Sequence, residues 1–180
     1  GVQLMGFANV ADSLYAVKKA VFDDKRFAMA ELVEWLSTDW MDAEDKRTSF
    51  LHRIPKYGND NDEVDAMASR VVSHFCDVLS KHRNYRGGTF WPGIFSVGFH
   101  IAMGAFTGAT PDGRYAGDNL GNGITPTNGN AIVGPTAVMN SVSKLPIHLV
   151  ANGANLNMRF QGKKIRPENL MALIKTFFDK

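Results

Sequence analysis

The chain has 180 residues, 44% of them hydrophobic and 21% charged, with a formal net charge of +2. This is the composition of a soluble globular protein long enough for one buried core, and its charge is too small and too scattered for a nucleic-acid surface. A single cysteine, Cys76, excludes a disulfide framework and any multi-cysteine zinc or iron–sulfur site within the chain.

The N-terminus, GVQLMGFANV, has neither an initiator Met nor the basic start and apolar core of a signal peptide, so the chain is expected to begin inside a longer polypeptide. Residues 9–23 read as a helix with Asn9 as N-cap and Val10, Leu14, Val17 and Val21 as one apolar stripe. A second helix is expected over 29–40, with Leu32, Trp35 or Leu36, and Trp40 inward, and a shorter one over 42–53. Ile54-Pro55-Lys56-Tyr57-Gly58-Asn59-Asp60 is a breaker. Asp60 or Asn61 then caps a long helix running to about Arg83, striped by Val64, Met67/Ala68, Val71, Phe75 and Val78/Leu79.

After Gly88 the pattern changes. Residues 94–102 carry apolar side chains on both alternating sets and read as a buried strand. Residues 104–160 are rich in Gly, Asn, Thr and Pro, yet Phe106, Leu120, Ile124, Ile132 and Val133 punctuate them, which points to an ordered loop around a site. Within it Pro135-Thr136 opens a short helix, with Thr136 as a candidate cap, and 156–160 alternates as a strand. Arg166-Pro167 starts a closing helix through Phe178. The sum is an incomplete α/β pattern whose remaining strands are expected from sequence outside this chain.

Motifs for common ligands fail on inspection. Gly108 and Gly113 lack the Lys-Ser/Thr of a P-loop, and Gly121-Asn122-Gly123 lacks the third glycine of a dinucleotide fingerprint. Asp60-Asn61-Asp62 opens like a calcium loop but has Asp65 for its glycine and Val71 for its last ligand, so no metal is expected there. His52, His74, His82 and His148 form no metal pair; His100, in an apolar tract just before the glycine-rich stretch, is the candidate pocket residue. Asp112, Gly113 and Arg114 read as a Pro-Asp-Gly turn with a salt bridge. Asn140, Ser141 and Ser143 either close loop backbone groups or point into a cavity.

GATPDGRYAG, then GITP, GPTAVMNSVSKL and NGANLNMRF in that order, resemble the glycyl radical enzymes, the group of pyruvate formate-lyase, the glycerol and diol dehydratases, choline trimethylamine-lyase, hydroxyproline dehydratase and the arylacetate decarboxylases. GFANVADSLYAVKKAVFD, PKYGND and RGGTFWPGIFSVGFHIAMG resemble the same family, so the likeness covers nearly the whole chain. It implies an α/β fold that is part of a ten-stranded barrel, with 1–88 as a helical segment packed outside and 89–180 as barrel strands, glycine-rich loops and closing helices. Phe95, Val97, Phe99 and His100 are then the substrate-cavity candidates, on one strand face or the other, with Val97 and His100 favoured. Asp112, Gly113, Arg114, Pro135, Thr136 and Asn140 are the loop-shaping candidates.

The family's reactive cysteine sits in a Gly-Cys-Val/Ile loop, whereas Cys76 lies between Phe75 and Asp77, and the Arg-Val-x-Gly-Tyr motif of the radical glycine is not present in this sequence. The resemblance therefore implies an internal piece of a longer enzyme, inactive alone and binding no cofactor itself. A radical-SAM activase would install the glycyl radical outside this chain. It further implies a small-molecule substrate, the rest of the parent as partner, a homodimeric parent, the cytoplasm as compartment, and neither nucleic acid nor membrane as partner. SVGFH leans the expected reaction towards radical elimination of the dehydratase or lyase type. The alternatives are a pyruvate formate-lyase-type acyltransferase, an arylacetate decarboxylase, or a non-catalytic complementing fragment.

Overall fold

In the computed structural model, which describes residues 1–160 and 166–178, helices dominate the first half and loops the second. In chain order they are β1 (Val2–Gln3), α1 (Phe7–Val17) running on into a π-helical stretch (Lys18–Asp23), α2 (Met29–Ser37), α3 (Glu44–His52) and α4 (Asp62–Ser80). Then come β2 (Pro92–Gly93), α5 (Phe99–Ala105), α6 (Pro135–Ser143), a 3-10 turn (Ile147–Leu149) and α7 (Pro167–Phe178).

α1 packs on α4. Its inner face is Phe7, Ala8, Ala11, Tyr15 and Ala16, small enough beside the aromatics to approach Val64, Ala68, Val72 and Cys76 of α4. This corrects the sequence reading: Val10 and Leu14 point outward at 40% and 47% exposure. The α4 stripe is likewise rotated, because 64, 68, 72 and 76 are the positions that face α1. Asn9 does not cap the helix either. α1 starts at Phe7, after Gly6 at φ 70, and Asn9 is a buried residue inside it. Asn61 does cap α4, its Oδ1 accepting from Val64 N at 3.3 Å. Beyond α1, Phe27, Trp35, Trp40 and Phe50 form a ring cluster with centroids 5.2–6.5 Å apart.

The strands differ most from expectation. β1 and β2 pair in parallel, Val2 with Pro92 and Gln3 with Gly93, and Ile94 bridges Ala154 on the other side. Extended pairing thus ends at Ile94, where the expected strand was to begin. Val97 at φ 44 and Gly98 at φ 88 turn the chain out of it, and residues 99–105 wind into α5. α5 lies close on the glycine-rich stretch: a Cβ at Gly104 would stand 2.3 Å from the carbonyl oxygen of Asp118. Residues 156–160 carry no strand either, since the pairing falls at Ala154. At α6, Gly134 occupies the cap position, Pro135 is the first helical residue and Thr136 lies inside the helix without a side-chain cap bond.

The glycine-rich stretch is ordered, tied at intervals to α1 and to the 56–59 segment. Asn9 Nδ2 donates to Asp112 Oδ2 at 2.6 Å, and Gly121 N donates to Asn9 Oδ1 at 2.7 Å. Tyr57 OH donates to the Ile124 carbonyl, and Asn59 Nδ2 to the Asn130 carbonyl. Ile132 N and Val133 N both donate to Asn59 Oδ1. The segment read as a mere breaker, PKYGND, is therefore the loop's anchor.

Candidate functional site

A cavity of about 870 Å3 opens between α5, the 120–128 run and the 156–160 tract. Its wall mixes His100, Asn122, Thr125, Asn128, Asn157 and Arg159 with Leu120, Pro126, Leu156, Met158 and Phe160. Polar groups aimed into a partly apolar cavity are what a small hydroxylated or anionic molecule requires. Among the described residues, the titratable groups that line it are His100 and Arg159, both bases.

His100 is held from behind. Ser96, 2% exposed, places its Oγ 2.8 Å from His100 Nδ1 and donates to Asn122 Oδ1 at 2.8 Å. With the single hydroxyl proton directed to Asn122, Ser96 Oγ is placed to accept from His100 Nδ1–H, the tautomer in which the other ring nitrogen, Nε2, carries the acceptor lone pair. The turn that brings Ser96 under His100 is the one with positive φ at Val97, a conformation unfavourable for a β-branched residue.

The other sequence candidates separate. Phe95 is half-buried, while Val97 and Phe99 are exposed at 83% and 57% and do not line this cavity. Asp112 and Arg114 are buried but make no ion pair with each other among the described residues. Thr110 Oγ1 mediates between them, donating to Asp112 Oδ1 and accepting from Arg114 Nε. The Arg114 guanidinium otherwise donates to the carbonyls of Thr107, Gly108 and Asp118. At Gly113, φ is 93, and a Cβ would stand 2.9 Å from Leu51 Cβ. Asn140 Nδ2 donates to Asp60 Oδ2, Asp60 N donates to Ser141 Oγ, and Ser143 donates to the Asn140 carbonyl, so α6 closes backbone and loop groups.

Asp60, Asp62 and Asp65 converge, but on Lys144, whose ammonium lies 2.8 Å from a carboxylate oxygen of each. Burial opposes the charged ammonium, yet the three carboxylates outweigh it and hold its pKa above the usual lysine range. Cys76 is buried, its Sγ donating to the Leu149 carbonyl at 3.8 Å, and burial pushes the thiol up, so it fits a packing role and not that of a reactive cysteine. Sequence reasoning missed Ser96, Asn122, Asn9, Asp12, Lys56 and Lys144. Only the polar positions 9 and 12 within an otherwise apolar helix face offered a signal.

Comparison with known proteins gives a consistent picture. Residues 1–104 match the family model described as pyruvate formate lyase-like, and residues 120–180 the model described as glycine radical. The chain is 37% identical to the probable dehydratase YbiW of Escherichia coli, over 99% of this chain and 24% of that protein. It is 34% identical to the (2S)-3-sulfopropanediol dehydratase of Klebsiella oxytoca, over 99% of this chain and 23% of that protein. It superposes on the glycerol-bound B12-independent glycerol dehydratase of Clostridium butyricum with a TM-score of 0.91 and 40% identity, over 97% of this chain and 22% of that one. The chain thus spans about a quarter of the length of the curated relatives it matches.

Proposed function

Since the chain belongs to the glycyl radical enzymes of the pyruvate formate lyase-like family, we propose that it forms one wall of the substrate cavity in a radical dehydratase or lyase. The observation that carries the reaction type is the match of 99% of this chain to dehydratases. The name of the family model favours acyl transfer as a second reading. The cavity supports elimination: it offers a positioned acceptor on His100 beside amides and a hydroxyl, which suits a hydroxylated substrate about to lose water or another leaving group. The glycyl radical, installed by a radical-SAM activase, supplies hydrogen-atom abstraction when present. The residues of this chain bind, orient and exclude water.

In this reading the 91–94 and 152–155 tracts extend into barrel strands with sequence outside the chain, residues 1–88 pack outside, and Phe95, Val97 and Phe99 meet the rest of the parent or the substrate. The parent is a cytoplasmic homodimer and this chain alone is inactive. The test is the parent polypeptide incubated anaerobically with its activase. A glycyl doublet in the EPR spectrum and an aldehyde or sulfite product from a vicinal diol or hydroxysulfonate are expected. His100→Ala is expected to keep the doublet and lower kcat/KM at least tenfold, on the order of one positioned hydrogen-bonding group. A full doublet with acyl transfer from pyruvate and no elimination would overturn the dehydratase assignment.

A further inference from the structure

Bonds made inside the chain decide what each polar group of the cavity still has to give a ligand. Asn122 lines it, and Asn122 Oδ1 accepts from Ser96 Oγ at 2.8 Å, so the end of the carboxamide left over is the Nδ2 donor. Thr125 lines it too. Its Oγ1 accepts from Asn157 N at 2.8 Å, which leaves the hydroxyl proton to be donated. Arg159 adds a guanidinium that meets no acceptor among the described residues. These groups sit on adjoining lengths of chain, because Ile124 N donates to the Asn155 carbonyl at 3.0 Å just before the Thr125–Asn157 bond.

Acceptors come from elsewhere in the wall. His100, with Ser96 Oγ 2.8 Å from Nδ1, is left with Nε2 as its acceptor. The Asn128 and Asn157 amides can turn either end to a ligand. A guanidinium fork, an amide donor and a free hydroxyl together suit oxygen atoms that carry negative charge, since bonds to a charged partner are the strong ones. The apolar side chains Leu120, Pro126, Leu156 and Met158 in the same wall strengthen them by lowering the local dielectric. A neutral diol satisfies the amide and the hydroxyl but brings no counter-charge for Arg159.

We propose that the cavity takes a small hydroxylated organic anion, a hydroxyalkyl sulfonate or carboxylate. Its acid group is held by Arg159, Asn122 Nδ2 and the Thr125 hydroxyl, and its own hydroxyl donates to His100. The assignment rests on the reading of this cavity as the substrate's, and between the two substrate kinds which that reading admits it selects the anion over the neutral diol. Ser96 is then a positioning residue. Buried at 2% exposure, it has one proton to give, and where that proton goes fixes which end of Asn122 and which nitrogen of His100 are left for the ligand.

The experiment is an NMR titration of the labelled chain, with no activase and no radical, at constant ionic strength. The ligands are 2-hydroxyethanesulfonate, lactate, ethanesulfonate and glycerol, and the signals are the Arg159 Nε–H, the Asn122 side-chain amide and the His100 ring nitrogens. Saturable shifts at Arg159 and Asn122 are expected with at least one of the two hydroxylated anions, the tighter of which names the acid group. Glycerol is expected to bind at least about tenfold more weakly, and ethanesulfonate, which lacks the hydroxyl, about threefold more weakly. Arg159→Met, which removes no hydrogen bond among the described residues, is expected to weaken the anion at least about tenfold, and Arg159→Lys to recover part of the loss. Silent Arg159 and Asn122 signals with both hydroxylated anions, or glycerol binding as tightly as they do, overturn the proposal. So does a neutral His100 ring with its proton on Nε2, because Ser96 would then donate to Nδ1 and Asn122 would present its oxygen. Failure here leaves elimination standing with a neutral diol as substrate, whereas acyl transfer by an activated parent would sink elimination and leave a measured anion site in place.

Discussion

A buried carboxyl held above its ordinary value has a consequence for stability whose sign can be worked out. Asp12 titrates near 3.8 in an unfolded chain and at about 7 in the folded one, with burial the leading cause. Below the lower value both states hold the proton and the carboxyl contributes no penalty. Between the two values the folded state keeps a proton that the unfolded state has released, so stability falls as pH rises, and above about 7 the full penalty persists. Asp12→Asn carries no charge and can keep the Tyr57 bond, with Asn130 turned to accept. The variant is therefore expected to gain on the wild type by on the order of 2 kcal/mol between pH 5 and pH 8. Denaturant unfolding at the two pH values measures the difference, and an equal or smaller advantage at pH 8 would show that Asp12 is ionised throughout. None of this was legible in the sequence, because the charge of Asp12 depends on Lys56 and Asp112, 44 and 100 positions away.

At the scale of elements, periodicity found the α-helices other than α5 and misplaced two of their faces. α1 carries two apolar stripes: Val10 and Leu14 outward, and the mixed aromatic and alanine set Phe7-Ala8-Ala11-Tyr15 inward, interrupted by Asn9 and Asp12. Sequence pattern favours the aliphatic stripe over alanines broken by Asn and Asp, whereas the fold uses the inner set because its partners are α4 and a polar loop. The strand at 94–102 was misread for a different reason: the positive φ at Val97 cannot be inferred from a β-branched residue. The junction of α4 and α6 was half legible, with Asn61 foreseen as a cap and Lys144 not foreseen at all. Among the described residues, Lys144 is the one hydrogen-bond donor to the fully buried Asp65 carboxylate, whose other oxygen has no hydrogen-bond partner. Lys144→Met is thus expected to cost about 3 kcal/mol by leaving a buried charge uncompensated. Adding Asp65→Asn should recover part of that loss. A loss below about 0.5 kcal/mol in denaturant unfolding would place the ion cluster among ordinary surface pairs.

For the whole molecule, the telling feature is that so much apolar surface faces outward on a chain with a well-packed interior. A groove of about 600 Å3 runs between α1 and α4, lined by Leu4, Val10, Leu14, Met67, Val71 and Phe75 among others. Phe106, Ile132 and Val133 are exposed on the glycine-rich side at 87%, 83% and 67%. An α1/α4 pair apolar on both sides has the pattern of a middle layer, in a chain that matches about a quarter of its relatives' length. The family was legible from the glycine-rich motifs because their turns and close approaches demand particular residues, as at Gly104 and Gly113. The outward apolar face of α1 was not, because the pattern of Val10 and Leu14 reads equally well as the buried side. Isolated, the chain is expected to self-associate through this groove. Leu14→Glu with Val71→Glu should shift sedimentation towards monomer while changing unfolding free energy by less than about 1 kcal/mol, because neither side chain belongs to the fully buried set. The same pair of substitutions in a full-length parent should cost far more, since there each carboxylate would be buried without a partner. Equal destabilisation in the two settings would mean that the groove stays open to water in the parent, and that the outward stripe of α1 is surface in both.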